Sequence, residues 1–241
     1  MKYAIIIPAR MGSTRFYGKP LAKILGKELI SWVYERCADA THKNKVYIAT
    51  DSNEIKNFCI SKKYNCILTS KAITGTDRIY LASKKIKASY YINVQGDEPL
   101  IKKRDIQKII KYGLNKKHVT NGYCKINDYN LVKSRSIPKV VFNSKQELIY
   151  ISRSPIPSSK KKSRNKFFRQ VCIYSYPKNL LDKFGKLKKK STIEAVEDIE
   201  ILRFLENGIK VKMMKLSDNP YAVDYPSDIK KVEKFINGRT I

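Results

Sequence analysis

The sequence predicts an α/β protein, a mostly parallel sheet with helices on both faces. Three observations carry that expectation. Up to about residue 112, strand-length apolar runs alternate with segments of helical spacing. The first run ends in a basic, glycine-punctuated loop, the kind of segment that binds ligands at the strand ends of open sheets. From residue 122 the rhythm changes to closely spaced strands, and regular helix returns only near residue 192. The 241 residues suffice for a sizeable core, and the hydrophobic share of 42% is that of an ordinary globular protein. The expectation is one domain over residues 1–241, with a β-rich subregion at about 122–176.

Residues 3–7, with Ile5, Ile6 and Ile7, read as a buried strand. The loop at 8–20 follows. Gly12 and Gly18 let its backbone bend and bring N–H groups close to an anion. Arg10, Arg15 and Lys19 supply positive charge, and the arginine forks suit phosphate oxygens. Ser13 adds a hydroxyl. The loop reads as a phosphate site; the alternative is a solvated surface loop.

Residues 29–40 have helical spacing, with Ile30, Val33, Tyr34 and Cys37 on one face. Residues 45–49 form a short strand, and Asp51 or Ser52 can cap the helix expected at 54–62. Residues 66–68 make a third strand. A loop at 69–78 then brings Gly75, Thr76, Asp77 and Arg78 into a helix that runs to about residue 87. Residues 90–94 are the fourth strand, ending in Gln95, Gly96, Asp97, Glu98 and Pro99. A helix at 103–112 turns Ile106, Ile109 and Ile110 inward. This alternation implies right-handed βαβ units and a Rossmann-like sheet. The loops at 8–20, 69–78 and 95–99 should therefore converge on one crevice.

Strands are expected at 122–126, 139–143, 147–152 and 168–176. A single helix is expected at 192–207, with an apolar stripe of Ile193, Val196, Ile199, Leu202 and Leu205, ended by Gly208. A strand at 210–214 follows. Val223, Asp224, Tyr225 and Pro226 then lead into a last helix at 227–236. There is no internal repeat.

Composition narrows the class. No apolar run is long enough to span a bilayer and no secretory pattern is present, so a cytoplasmic protein without membrane contact is expected. The five cysteines are scattered, and with only His42 and His118 a zinc site has few candidate ligands. The net charge of +29 invites a nucleic-acid partner, yet most of the excess is lysine spread along amphipathic segments. The densest basic cluster, residues 160–166, lies between elements, where a mobile loop is expected. Dedicated nucleic-acid binding is not expected.

Asp97 and Asp224 each follow a strand on the crevice side. Two carboxylates facing a polyphosphate suit Mg²⁺, a hard ion that takes few protein oxygens. Asp224 also fits a plain helix cap, and Glu98 fits a turn-fixing residue. Arg153 at a strand end can clamp an acid bidentately or form a surface salt bridge. Glu194, Glu197, Glu200 and Arg203 recur every third residue. They form either a solvated face or, if they border the crevice, a hydroxyl-reading one.

Taken together, several motifs resemble the 3-deoxy-manno-octulosonate cytidylyltransferase (CMP-Kdo synthetase) family from end to end. They are the loop from Pro8 to Pro20, the Gly75–Arg78 turn, the Gln95–Pro99 turn, the Tyr150–Arg153 stretch with Ile156 and Pro157, and Val223 with Asp224 before Pro226. The resemblance implies a nucleotide-diphospho-sugar transferase type of fold and a cytoplasmic, Mg²⁺-dependent homodimer whose contact includes the β-rich excursion. Such an enzyme joins CTP to the acidic sugar 3-deoxy-D-manno-octulosonate (Kdo), releasing pyrophosphate, for lipopolysaccharide biosynthesis. By that similarity Arg10, Gly12, Ser13, Arg15, Lys19, Thr76 and Arg78 face the nucleotide, and Asp97 and Asp224 hold the metal. Gln95, Arg153, Gln170, Tyr174, Glu197 and Glu200 face the sugar. Arg15, Lys19 and Asp97 carry the catalysis.

The chain departs from the family pattern in places. Tyr17 stands where proline is usual. Residues 70–74 are one residue short and lack the usual histidine. Gln170 and Cys172 stand where histidine and glycine are usual. A neutral amide in the sugar region opens an alternative acceptor, such as 8-amino-3,8-dideoxy-Kdo. An alternative of another class is a non-catalytic basic protein that binds nucleotide or nucleic acid.

Overall fold

The computed structural model describes residues 1–158, 166–217 and 221–238. The chain runs from β1 (Tyr3–Pro8) through a small hairpin of β2 (Lys23–Ile24) and β3 (Lys27–Glu28) into α1 (Leu29–Ala40). It continues as β4 (Val46–Thr50), α2 (Asn53–Ser61), β5 (Cys66–Leu68), α3 (Gly75–Ser83), β6 (Tyr90–Val94) and α4 (Lys103–Gly113). Next come β7 (Val119–Lys125), α5 (Tyr129–Lys133), β8 (Lys139–Phe142), β9 (Leu148–Ser152) and β10 (Phe168–Pro177). The last elements are α6 (Lys178–Lys186), α7 (Thr192–Glu197), α8 (Leu202–Glu206), β11 (Val211–Lys215) and α9 (Ser227–Ile236).

The sheet order is β5-β4-β1-β6-β10-β7-β11. β1 pairs in parallel with both β4 and β6, β4 with β5, and β7 with β11. β10 runs antiparallel between β6 and β7. β1 is central because it is apolar on both faces: Ile5 and Ile7 pack toward α1 and α4, while Ala4 and Ile6 pack toward α3 and α8. Each fully buried isoleucine contributes about 1.5–3 kcal/mol relative to exposure. The second face closes tightly at Gly185 of α6, where a Cβ would sit 2.2 Å from the Tyr80 ring of α3.

Several elements differ from the sequence expectation. Ser52, not Asp51, caps α2, accepting from the Ile55 N–H at 3.3 Å. α3 ends at Ser83, short of residue 87. The stretch 122–176 divides, with β7 and β10 in the central sheet and the β8–β9 hairpin projecting from β10 through β8. The single helix expected at 192–207 is two short ones, α7 and α8, separated by Asp198 in the left-handed region (φ 52°). Its stripe is not one apolar face: Val196 is 82% exposed, whereas Ile199 and Leu202 are buried. The break follows from Arg203, which is fully buried and donates to Glu194 at 2.6 Å and Asp77 at 2.8 Å. Holding that ion pair and reaching two different loops with Glu197 and Glu200 is incompatible with one straight helix. Residues 160–165 of the basic run lie outside the described residues. No helix among the described residues is long and apolar enough to cross a membrane.

Candidate active site

β1 has parallel partners on both sides, so the chain leaves its carboxyl end at a topological switch point, where open α/β sheets bind ligands. A cavity of about 340 Å³ lies there. The three loops meet in it as expected: Arg10, Ser13, Arg15 and Lys19 from the first, Gly75 and Arg78 from the second, Gln95 and Asp97 from the third. A fourth wall comes from the α7–α8 segment, through Glu194, Asp198 and Glu200, with Lys190 just before it.

The opening loop is closed by a bond from the Gly18 N–H to the Met11 carbonyl at 3.0 Å. Gly18 has φ 69°, a conformation glycine adopts without strain. The following 3-10 turn, Lys19–Leu21, aims Lys19 at Asp97, with Nζ 2.7 Å from Oδ2. Arg15 pairs with Asp224 at 3.2 Å. The two carboxylates sit on adjacent segments, because the Val223 N–H donates to the Asp97 carbonyl at 2.9 Å. Among the described residues no group of three or more His, Cys, Asp or Glu side chains could hold a metal. Two hard carboxylates beside a loop of cations still fit Mg²⁺, a hard ion that takes few protein oxygens. Glu98 turns inward and is buried; burial first, then Asp97 beside it, pushes its carboxyl up to about 7 against the pull of Arg169 and Cys172.

At the second loop, the free amides that begin α3 are already taken. The Gly75 and Thr76 N–H groups donate to the Glu200 carboxylate at 2.9 and 2.7 Å. Burial pushes the Glu200 carboxyl up despite these bonds. A carboxylate at this helix start satisfies donors that a phosphate would otherwise use. The Thr76 hydroxyl lies 3.3 Å from the Tyr176 hydroxyl, away from the cavity. Arg78 lines the cavity while donating to Thr69 at 2.9 Å and Asp51 at 3.0 Å.

The remaining candidates separate. Glu197 accepts from the Ser152 hydroxyl at 2.5 Å, the Arg153 N–H at 2.9 Å and the Tyr150 hydroxyl at 3.3 Å. Burial pushes its carboxyl up, but these donors outweigh it and hold it below the usual range. Arg153 spends its fork on the protein, donating to the carbonyls of Glu197 (2.6 Å), Arg135 (2.9 Å) and Asp198 (2.9 Å). It lines a second cavity, together with Gly12 of the opening loop. Gln170 is buried and donates to Asn121 at 3.0 Å, while Tyr174 is buried and stacked on Tyr176 with centroids 5.7 Å apart. Thr76, Gln170, Tyr174, Glu197 and Asp224 are not among the residues lining either cavity.

Asp198 escapes a reading of the sequence altogether. It lines both cavities, and its carboxyl is held low first by Lys190, 2.5 Å away. No local signal marks it, since its position depends on the helix break. Arg135 and Ser136 of the second cavity also carry no motif, and Lys190 is hidden in a lysine run.

A family model described as cytidylyltransferase matches residues 4–214. The 3-deoxy-manno-octulosonate cytidylyltransferase of Thermodesulfovibrio yellowstonii is 38% identical, over 96% of this chain and 97% of that protein. The 8-amino-3,8-dideoxy-manno-octulosonate cytidylyltransferase of Shewanella frigidimarina is 36% identical, over 97% and 98% respectively. A solved structure of a CMP:2-keto-3-deoxy-manno-octonic acid synthetase complexed with CTP superposes with a TM-score of 0.91, at 32% identity and full coverage of both chains. With a crevice built from these loops and similarity along its whole length, the chain belongs to the cytidylyltransferases, in the 3-deoxy-manno-octulosonate cytidylyltransferase family.

Proposed function

We propose that this protein transfers CMP from CTP to the anomeric hydroxyl of Kdo, giving CMP-Kdo and pyrophosphate for lipopolysaccharide biosynthesis. The observation that carries this reading is the pairing of the opening-loop cations with two adjacent carboxylates, Lys19 with Asp97 and Arg15 with Asp224, at the mouth of one crevice. An arriving triphosphate competes for Lys19 and Arg15 and frees both carboxylates. Asp97 and Asp224 would then be free to hold Mg²⁺. When bound, that ion supplies positive charge to the phosphate oxygens and to the acceptor hydroxyl. Arg10, Arg15 and Lys19 neutralise charge that builds on the phosphates as the hydroxyl attacks the α-phosphorus. The transfer asks little covalent chemistry of the protein, so placing the two substrates and balancing their charge are the main tasks.

Incubation with Mg²⁺, CTP and Kdo should release pyrophosphate in proportion to Kdo; release no faster than without sugar would rule the reading out. A second acceptor, 8-amino-3,8-dideoxy-Kdo, is favoured by the similarity to the Shewanella protein. A panel of sugar acids ranks the two. Cytoplasmic location and a homodimer belong to the same proposal. Exposed Ile149 and Val196, on segments tied together by the Tyr150–Glu197 bond, support a contact at the β8–β9 excursion.

A further inference from the structure

The β8–β9 hairpin joins the sheet along a short seam. Lys139 of β8 pairs with Arg169 of β10 on one side and with Ser152 of β9 on the other, and the Gln170 N–H donates to the Pro138 carbonyl at 3.0 Å. A two-stranded hairpin is marginal by itself, so Arg153, the residue after β9, needs further anchors to keep one place. Lys139 supplies such an anchor. It is fully buried, and its Nζ donates to the Ser134 carbonyl at 2.9 Å and to the Arg153 carbonyl. Ser134 follows α5 and Arg153 follows β9. One ammonium therefore ties two separate backbone segments together.

Burial first, then the Arg153 charge, lowers the Lys139 amine to about 8, so it is still an ammonium at neutral pH. Arg169 opposes the charge from β10 and Glu197 supports it from α7. The Glu197 carboxylate is already taken up by Tyr150, Ser152 and the Arg153 N–H. An apolar side chain would fill the same space without a buried charge. What the ammonium adds is a fixed spacing between the two segments.

That spacing governs the aim of Arg153. Its N–H is held by Glu197 at 2.9 Å and its carbonyl by Lys139. Its side chain spans from the Arg135 carbonyl to those of Glu197 and Asp198. These bonds use three of the five N–H donors of a guanidinium and leave two. Arg153 lines the second cavity, which shares Arg10, Ser13, Arg15 and Asp198 with the first. A planar fork meets a carboxylate well only when its plane is set, and a shift of about 1 Å is enough to spoil such a contact.

We propose that Lys139 is a positioning residue for acceptor recognition: it ties the carbonyls of Ser134 and Arg153 together and so sets where the two remaining donors of Arg153 meet the acid group of the sugar. Lys139 itself lines neither cavity. The inference rests on the proposed function through the part that Arg153 has in holding the sugar acid.

The test compares the wild type with Lys139→Met and Lys139→Arg. In Lys139→Met the KM for the sugar acid should rise about tenfold, the effect of one charge-assisted bond lost, with kcat nearly unchanged. CTP affinity, read by calorimetry, should stay as in the wild type, and Lys139→Arg should recover part of the KM. The Arg153 Nε–H signal, identified by its loss in Arg153→Gln, should move in the nitrogen–proton correlation spectrum of Lys139→Met with no substrate present. If Lys139→Met does not fold, Lys139→Gln, which keeps N–H donors without the charge, carries the same comparison. An unmoved Arg153 signal would overturn the inference. So would a loss of kcat and CTP affinity as large as the rise in KM, which is what a general loosening of the fold gives. A sugar-acid KM unchanged in Lys139→Met, although Arg153→Gln raises it, would overturn it too. If Arg153→Gln itself leaves that KM unchanged, the sugar role of Arg153 in the proposed function fails, and the Arg153 signal alone decides what Lys139 holds.

Discussion

Asp97 joins three parts of the site: it pairs with Lys19, its carbonyl receives the Val223 N–H, and its carboxylate faces the crevice. Asp97→Asn keeps the shape but removes the charge. Transfer should fall by at least about 10²-fold, while the unfolding midpoint should move little because the ion pair it loses is partly solvated. Near-normal turnover would remove Asp97 from the chemistry. Lys139 carries a different prediction. Burial first, then Arg153, lowers its pKa from 10.5 to about 8. Between those values the unfolded chain binds a proton that the folded chain has released. The contribution of Lys139 to stability is therefore full above 10.5 and is lost as pH falls through about 8. Lys139→Met should flatten the stability profile in that window relative to the wild type, as read by denaturant titrations across pH. Placement at the cavity was legible where a loop had to point at the crevice, as with Arg10, Ser13 and Lys19. It was not legible for Gln170 and Tyr174, which line neither cavity. Alternation in β10 is interrupted by a register shift between Val171 and Tyr174, so which face each side chain takes depends on pairing with β7.

At the scale of elements, α3 and the α7–α8 segment act as a unit. Arg203 bridges Asp77 of α3 and Glu194 of α7 and lies over the Phe184 ring at 3.9 Å. The same two segments form opposite walls of the cavity through Gly75 and Glu200. Arg203→Met would leave two buried carboxylates without their partner, at a cost of about 3–5 kcal/mol. Urea denaturation should show that loss, and CTP affinity should fall with it. A variant as stable as the wild type would show the ion pair to be dispensable. The sequence shows α1, α2 and α4 plainly, because each has one apolar face and a clear boundary. It does not show the break between α7 and α8, because the spacing of Ile193, Val196, Ile199 and Leu202 fits a continuous helix. Burial of Arg203 and the reach of Glu197 to β9 override that pattern.

The whole molecule carries a net charge of +29 around the crevice proposed to take CTP. Raising ionic strength from about 0.01 to 0.15 M shortens the Debye length from about 30 to 8 Å. Two opposite effects should follow. Self-repulsion is screened, so the melting temperature should rise. Attraction of CTP is screened too, so its association rate in stopped flow should fall. A rate that does not change with salt would mean that the excess lysine plays no part in capturing the nucleotide.

The sequence by itself determined the α/β class, a mostly parallel sheet in the first half of the chain and the convergence of three loops. Those follow from local periodicity and from the rule that parallel strands end on one edge. Tertiary structure alone decided that β10 runs antiparallel inside the sheet, that Glu200 occupies the start of α3, and that Asp198 and Arg135 reach the crevice. Each depends on contacts between residues tens of positions apart, which no local pattern encodes.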